Sequence, residues 1–259
     1  MATHVQSPNL SACVDGIVET PAQPHIAAID FSCSPVIRVL ATIALALIII
    51  GISSQAFLHF ALPQRGHKLI MLFDLDRENN IPTYFSATLM FFAAQFTALV
   101  AFAKSKREDS FRIHWALLAA LVLCASVDEA ASIHEMLVEP MRRLLGADGS
   151  GLLYFAWVVP GMTLVVAMAF LFARFLLHLP TTTRNQILAA GAVFLTGAIG
   201  VEMLGGEHSE LWGQANFTFA MYCAAEESLE MMGVLLYIRA ISDYLRSSNQ
   251  DLTFKFSSL

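Results

Sequence analysis

Residues 40–52 read LATIALALIIIGI, a run without a charged side chain inside the longer apolar stretch 36–62. A bilayer core about 30 Å thick takes roughly 20 helical residues to cross, so this stretch predicts a membrane-spanning helix. Five more apolar stretches follow: 84–103, 113 to about 138, 152–177, 187–204 and about 216–241. Composition agrees, with 56% hydrophobic and 14% charged residues and a mean hydropathy of +0.61. Soluble domains carry roughly 25% charged residues. The predicted fold class is all-α: a polytopic membrane protein whose six-transmembrane-helix bundle occupies 36–245.

The ends read differently. Residues 1–35 are polar, contain Pro8, Pro21, Pro24 and Pro35, and predict a flexible N-terminal tail. They lack a positive region ahead of an apolar one, so they do not read as a cleaved signal peptide. Residues 246–259 predict a short C-terminal tail. Basic residues set the orientation. Arg38, Lys104, Lys106, Arg107, Arg112, Arg174, Arg184, Arg239, Arg246 and Lys255 fall on one side, and Arg65, Lys68, Arg77, Arg142 and Arg143 on the other. That bias predicts both termini in the cytoplasm. No basic stripe interleaves with aromatics, so the expected partner is the lipid bilayer and not nucleic acid. The four cysteines show no paired spacing and predict no disulfide framework.

Eight ionisable residues fall inside the predicted spans: Asp128, Glu129, His134 and Glu135 in the third, Glu202 in the fifth, and Glu226, Glu227 and Glu230 in the sixth. A carboxylate in hydrocarbon costs at least ~2.5–3.5 kcal/mol on insertion scales, so such groups face an interior cavity. Seven acids without an internal basic partner cannot all be ionised unless a cation or water stands among them. On the predicted orientation, Asp128, Glu129, Glu226 and Glu227 lie roughly 15 Å below the outer end of their helices at 1.5 Å per residue. The whole set belongs to the outer half.

Helical phase brings part of it together. Glu226, Glu227 and Glu230 share roughly 100° of arc, with Cys223 a turn before and Tyr237 further along. On an unbroken third span, Asp128, Glu135 and Glu139 fall within about 40°, while Glu129 and His134 flank that stripe on opposite sides. Only a break near Ala130, Ala131 and Ser132 would turn both toward one centre. Other residues read as scaffold. Glu139 predicts a surface ion pair with Arg142 or Arg143, and Cys124 and Cys223 predict small core residues. His59, His114 and His178 predict interfacial positions. Phe91, Phe92, Phe96 and Phe102 predict packing and lipid contact, and Gly191, Gly197 and Gly200 close helix approach. The stretch 67–82 is too apolar for a free linker and predicts an amphipathic or re-entrant outer cap, whose Asp74, Asp76, Glu78 and Asn79 are either solvated or extend the acidic site outward. Glu207, His208 and Glu210, in the loop before the sixth span, predict solvated groups or a rim around an entry funnel.

Known site patterns narrow the chemistry. His134-Glu135 is followed by Met136, Leu137 and Val138, so no HExxH zinc motif exists. The ExxH pair of di-iron bundles is missing, because Ser132, Gly205 and Glu230 stand three residues after Glu129, Glu202 and Glu227. Glu226-Glu227 lacks the arginine that a CAAX-protease-like EExxxR motif requires, since Met231 stands there. FDLDRENNIPTYFS, SVDEAASIHE and AAEESLEMMG together resemble an uncharacterised family of multi-pass bacterial membrane proteins. The resemblance covers about 67–240 through Glu78, Asn80, Pro82 and Thr83, then Asp128, Glu129, His134 and Glu135, then Glu226 and Glu227. It implies a bacterial inner (plasma) membrane protein and no particular activity. Oxygen-rich ligation with one imidazole suits iron or manganese. The predicted site is therefore a divalent metal centre, with room for two ions, held by Asp128, Glu129, His134, Glu135, Glu202, Glu226, Glu227 and Glu230. It would act in an oxidoreductase or hydrolase with a small or lipid-phase substrate. The alternative is a proton or cation translocator using the same carboxylates.

Overall fold

The computed structural model describes residues 34–61, 68–146 and 151–248. Among them all regular structure is helical: α1 Ser34–Phe60, α2 Lys68–Met71, α3 Ile81–Lys106, α4 Arg112–Ala131, α5 Val138–Leu145, α6 Val158–His178, α7 Thr181–Leu195, α8 Glu202–Trp212 and α9 Phe217–Ser248. Five helical stretches are long and apolar enough to cross a membrane: those of α1, α3, α4 and α6, and α7 to α8 taken as one. α9, with three glutamates in its body, is not in that group. Large apolar side chains such as Ile49, Phe92, Val127 and Phe170 face outward, an arrangement suited to a lipid surround. α1 begins and α9 ends inside the stretches predicted as tails, and the remainder of those tails lies outside the described residues.

α9 is the axis. It packs against α1, α3, α7 and α8, and Met231, Ile238, Ile241 and Leu245 are buried. Between helices with apolar outer faces the cohesion comes from close packing, which small residues permit. A Cβ on Gly233 would stand 2.7 Å from the Phe194 backbone nitrogen, and one on Gly197 would stand 2.8 Å from the Glu226 carbonyl oxygen. Gly191 would meet nothing within 4 Å, and Gly200 only Thr196 of its own turn. Of the three glycines predicted to mark close approach, only Gly197 does.

Two local departures position the site. α4 stops at Ala131 because Ser132 takes the left-handed conformation, φ 48° and ψ 43°. The predicted third span to about Val138 is thus corrected: His134 and Glu135 lie past the helix end, in a turn and the 3₁₀ turn Glu135–Leu137. Glu139 sits on α5, an exposed helix where it pairs with Arg143 at 2.9 Å, so its predicted phase with Asp128 does not hold. The second departure is a π-helical turn, Thr196–Val201, between α7 and α8. It carries the helix on to Trp212, well beyond the predicted end at 204, so Glu207, His208 and Glu210 lie on a helix and not in a loop.

The 72–80 segment folds inward. Asn80 caps α3 by accepting the Thr83 N–H at 3.0 Å, and its amide donates to the carbonyls of Asp74 and Arg77. Thr83 Oγ1 donates to the Arg77 carbonyl at 3.1 Å. Gly51 lets the segment settle on α1, since a Cβ there would collide with Leu75 at 2.7 Å. Asp74 is buried and bonded to Gln55 and Arg77, which corrects the expectation of a solvated acid.

Candidate functional site

One cavity of about 640 Å³ lies among α4, the 132–137 turn, α6, the π turn, α8 and α9. Asp128, Glu129, His134, Glu135, Glu202, Glu226, Glu227 and Glu230 all line it. The break at Ser132 makes this convergence possible, because it swings His134 off the helical path that would have opposed it to Glu129. Asp76 and Glu78 of the inward loop join them, so for these two residues the loop extends the acidic site and the solvated reading is corrected.

The cluster is tied together in named contacts. Asp128 accepts the His134 backbone N–H at 2.8 Å and meets Nδ1 of the same ring at 2.9 Å. That ring packs on Trp157 with centroids 4.7 Å apart. Trp157 Nε1 donates to Glu202 at 2.8 Å, and the carboxyl groups of Glu202 and Glu226 are in hydrogen-bonding contact. Two carboxyl groups keep such a contact only by sharing a proton or a cation. Lower down, Glu227 lies within electrostatic reach of Glu129 and Glu78, and Glu230 within reach of Glu227, Glu129 and Glu202. One carboxylate oxygen of Glu227 is fully buried without a hydrogen-bond partner, as is one of Glu78.

The groups on the loops feel this field. Burial and the neighbouring charge of Glu135 hold Glu78 above the usual carboxylate range, against a hydrogen bond from Ser132. Burial also raises Asp76, with the charge of Asp74 adding and the Cys223 thiol, 3.3 Å away, opposing. For His134, burial alone would favour the neutral ring. The hydrogen bond and charge of Asp128 outweigh it, and Glu202 and Glu135 add to the upward shift. The one guanidinium in the lining, that of Arg142, is turned to backbone: Nε and Nη2 donate to the Tyr154 carbonyl at 2.9 and 2.6 Å.

Cys223 is buried in the wall, but Cys124 is exposed on α4, which corrects its predicted place in the core. Among the described residues no group of three or more His, Cys, Asp or Glu side chains is placed so that it could hold a metal ion. Trp157, Arg142 and Tyr154 were not legible as site residues. Their only sequence signal is an aromatic-basic pairing at a predicted span end.

The chain belongs to the family described as domain of unknown function DUF8692, which matches residues 39–244. No curated protein and no solved structure matches it.

Proposed function

We propose that this chain is a six-span protein of a bacterial plasma membrane, both ends cytoplasmic, whose cavity binds divalent metal. α9 is the sixth span, its acids turned inward. The observation that carries the metal reading is Glu227: a buried carboxylate oxygen without a partner, among nine carboxyl side chains lining a cavity with one guanidinium and one imidazole. A buried, unpaired carboxylate is costly, and a cation bonded to several carboxylates removes that cost. Iron or manganese suits oxygen ligands with one imidazole, and the volume leaves room for two ions. Glu129, Glu227 and Glu230 would hold the deeper ion, and Asp128, His134, Glu135, Glu202 and Glu226 the outer one. When bound, such an ion polarises a substrate oxygen or activates water, which suits an oxidoreductase or hydrolase of a lipid-phase substrate.

The translocator reading has one observation in its favour, the Tyr237 hydroxyl bonded to Thr97 at 2.9 Å on the α9 segment beyond Glu230. Past Tyr237, however, Trp115, Phe175, Ile241 and Leu245 fill the bundle with packed apolar side chains. That supports a closed site over a path. Elemental analysis of the detergent-purified protein decides between the readings, beside Glu227→Gln. About two equivalents of iron or manganese, lost in the variant, are expected. A folded protein without metal overturns the proposal and leaves the translocator.

A further inference from the structure

The cavity has two kinds of wall. Facing the carboxylates is an apolar flank made by Ala125 of α4, Leu164 and Val165 of α6, and Ala198 of the π turn. At the opposite end α4 and α6 are locked together: the Phe175 ring meets Trp115 edge-on at 5.0 Å and stacks on His114 at 5.7 Å. Toward the site both helices line the cavity, α4 through Ala125, Asp128 and Glu129 and α6 through Gly161, Leu164 and Val165. Of these, Leu164 is also 50% exposed. On α4, Asp128 lines the cavity with its side chain 38% exposed, and Cys124, one turn below on that flank, is exposed. Side chains that line the cavity and are also exposed place its apolar flank at the edge of the bundle. Both helices that frame it are long and apolar enough to stand in hydrocarbon.

We infer that the cavity opens sideways between α4 and α6 and admits a single-chain amphiphile from the lipid phase. Its tail lies along Leu164 and Val165. Its head, uncharged or cationic and able to donate hydrogen bonds, stands among the carboxylates. This rests on the membrane placement proposed above and names the substrate class of the same site. Charge chooses the head. Nine carboxyl groups line the cavity, so an anionic head meets repulsion from those that are ionised, while a donor head finds acceptor oxygens in either protonation state. The unpartnered oxygen of Glu78, which the proposed metal set does not use, is a further sign, since a buried acceptor calls for a donor. The size also suits: pockets for small organic ligands run roughly 300–1,000 Å³, and this one is about 640 Å³.

The test places a reporter thiol on the apolar flank. Ala198→Cys is introduced after the four native cysteines are changed to serine, and the protein is reconstituted in phosphatidylcholine vesicles. N-dodecylmaleimide dissolved in the bilayer should modify it. Adding Leu164→Trp should slow that modification by about tenfold, the effect of roughly 1.4 kcal/mol, while Leu164→Ala should leave it as fast or faster. Dodecylamine and dodecanol should protect the thiol, and dodecyl phosphate should not. The inference fails if Leu164→Trp changes nothing, if only a water-borne cationic methanethiosulfonate reaches the thiol, or if all three amphiphiles protect equally. Repeating the reaction with chelator separates the two proposals: Leu164-dependent entry into a metal-free protein upholds the opening and refutes only the metal reading.

Discussion

Asp128 bonds twice to His134, six residues further along the chain: one carboxylate oxygen accepts the backbone N–H at 2.8 Å and the other meets Nδ1 at 2.9 Å. The helix ends between them, at the left-handed Ser132. A non-glycine residue in that conformation costs about 1 kcal/mol or more, and these two bonds on a charged acceptor offset it. The same contact fixes the imidazole against Trp157 and so holds one side of the carboxylate cavity. A side chain of α4 thereby decides where α4 ends and how the chain turns beyond Ala131.

Asp128→Ala should therefore destabilise the protein by about 1–3 kcal/mol, because the His134 N–H and ring nitrogen both lose their acceptor. Asp128→Asn keeps one acceptor oxygen and should lose less. Thermal melting of the three proteins in one detergent measures the order. Equal loss in both variants would show that charge, and not the double bond to the turn, matters.

Gly197 and Gly191 lie on the same helical stretch and should respond in opposite ways. A methyl at 197 would stand 2.8 Å from the Glu226 carbonyl and 3.2 Å from Glu230 Cγ, whereas at 191 it meets nothing within 4 Å. Gly197→Ala should cost about 1–3 kcal/mol by overpacking and reduce metal content by displacing Glu226 and Glu230. Gly191→Ala should be neutral or stabilise by up to about 1 kcal/mol, through helix propensity. Similar melting temperatures for the two variants would contradict the close approach of the π turn to α9.

Asp109 supplies a pH dependence remote from the cavity. Burial would raise its pKa, but the Phe111 N–H at 2.8 Å and the Lys104 ammonium at 3.1 Å bind the carboxylate and hold it below its ordinary 3.8. A lowered folded pKa gives stability that is present above the unfolded value and lost as pH falls through the folded one. Asp109→Asn should be less stable than the parent near neutrality, on the order of 1 kcal/mol. The gap should close below pH 3.8. A gap that stays constant down to strong acid would assign the effect to shape alone.

If divalent metal neutralises the cavity, protons compete with it for the same oxygens. Mild acid should then release the ion and lower the melting temperature, and added metal should restore it by mass action. A chelator should mimic the acid at neutral pH. A melt indifferent to chelator would remove any stabilising metal from the account.

Reporter fusions test the membrane placement. A fusion at Ser110, between α3 and α4, should report cytoplasm, and one at Gly146, after α5, the opposite side. The reversed pattern would put the cavity on the cytoplasmic half.

The amino-acid sequence by itself determined the helical class, five helices apolar enough to cross a membrane, and the eight ionisable residues that line one cavity. These are local properties: hydropathy accumulates along a run, and a carboxylate in such a run is costly wherever the helix later packs. Three other matters waited on the tertiary structure. The stop at Ser132 depends on where the Asp128 side chain reaches, which no period of the sequence encodes. The inward turn of Asp76 and Glu78 depends on Gly51 leaving room for Leu75, a contact between α1 and a distant loop. The place of Leu164, on the cavity wall and exposed, depends on how α6 packs beside α4, which a ring contact joins at the other end. Each is a relation between surfaces brought together only by folding, so its energy has no term in any single stretch of chain.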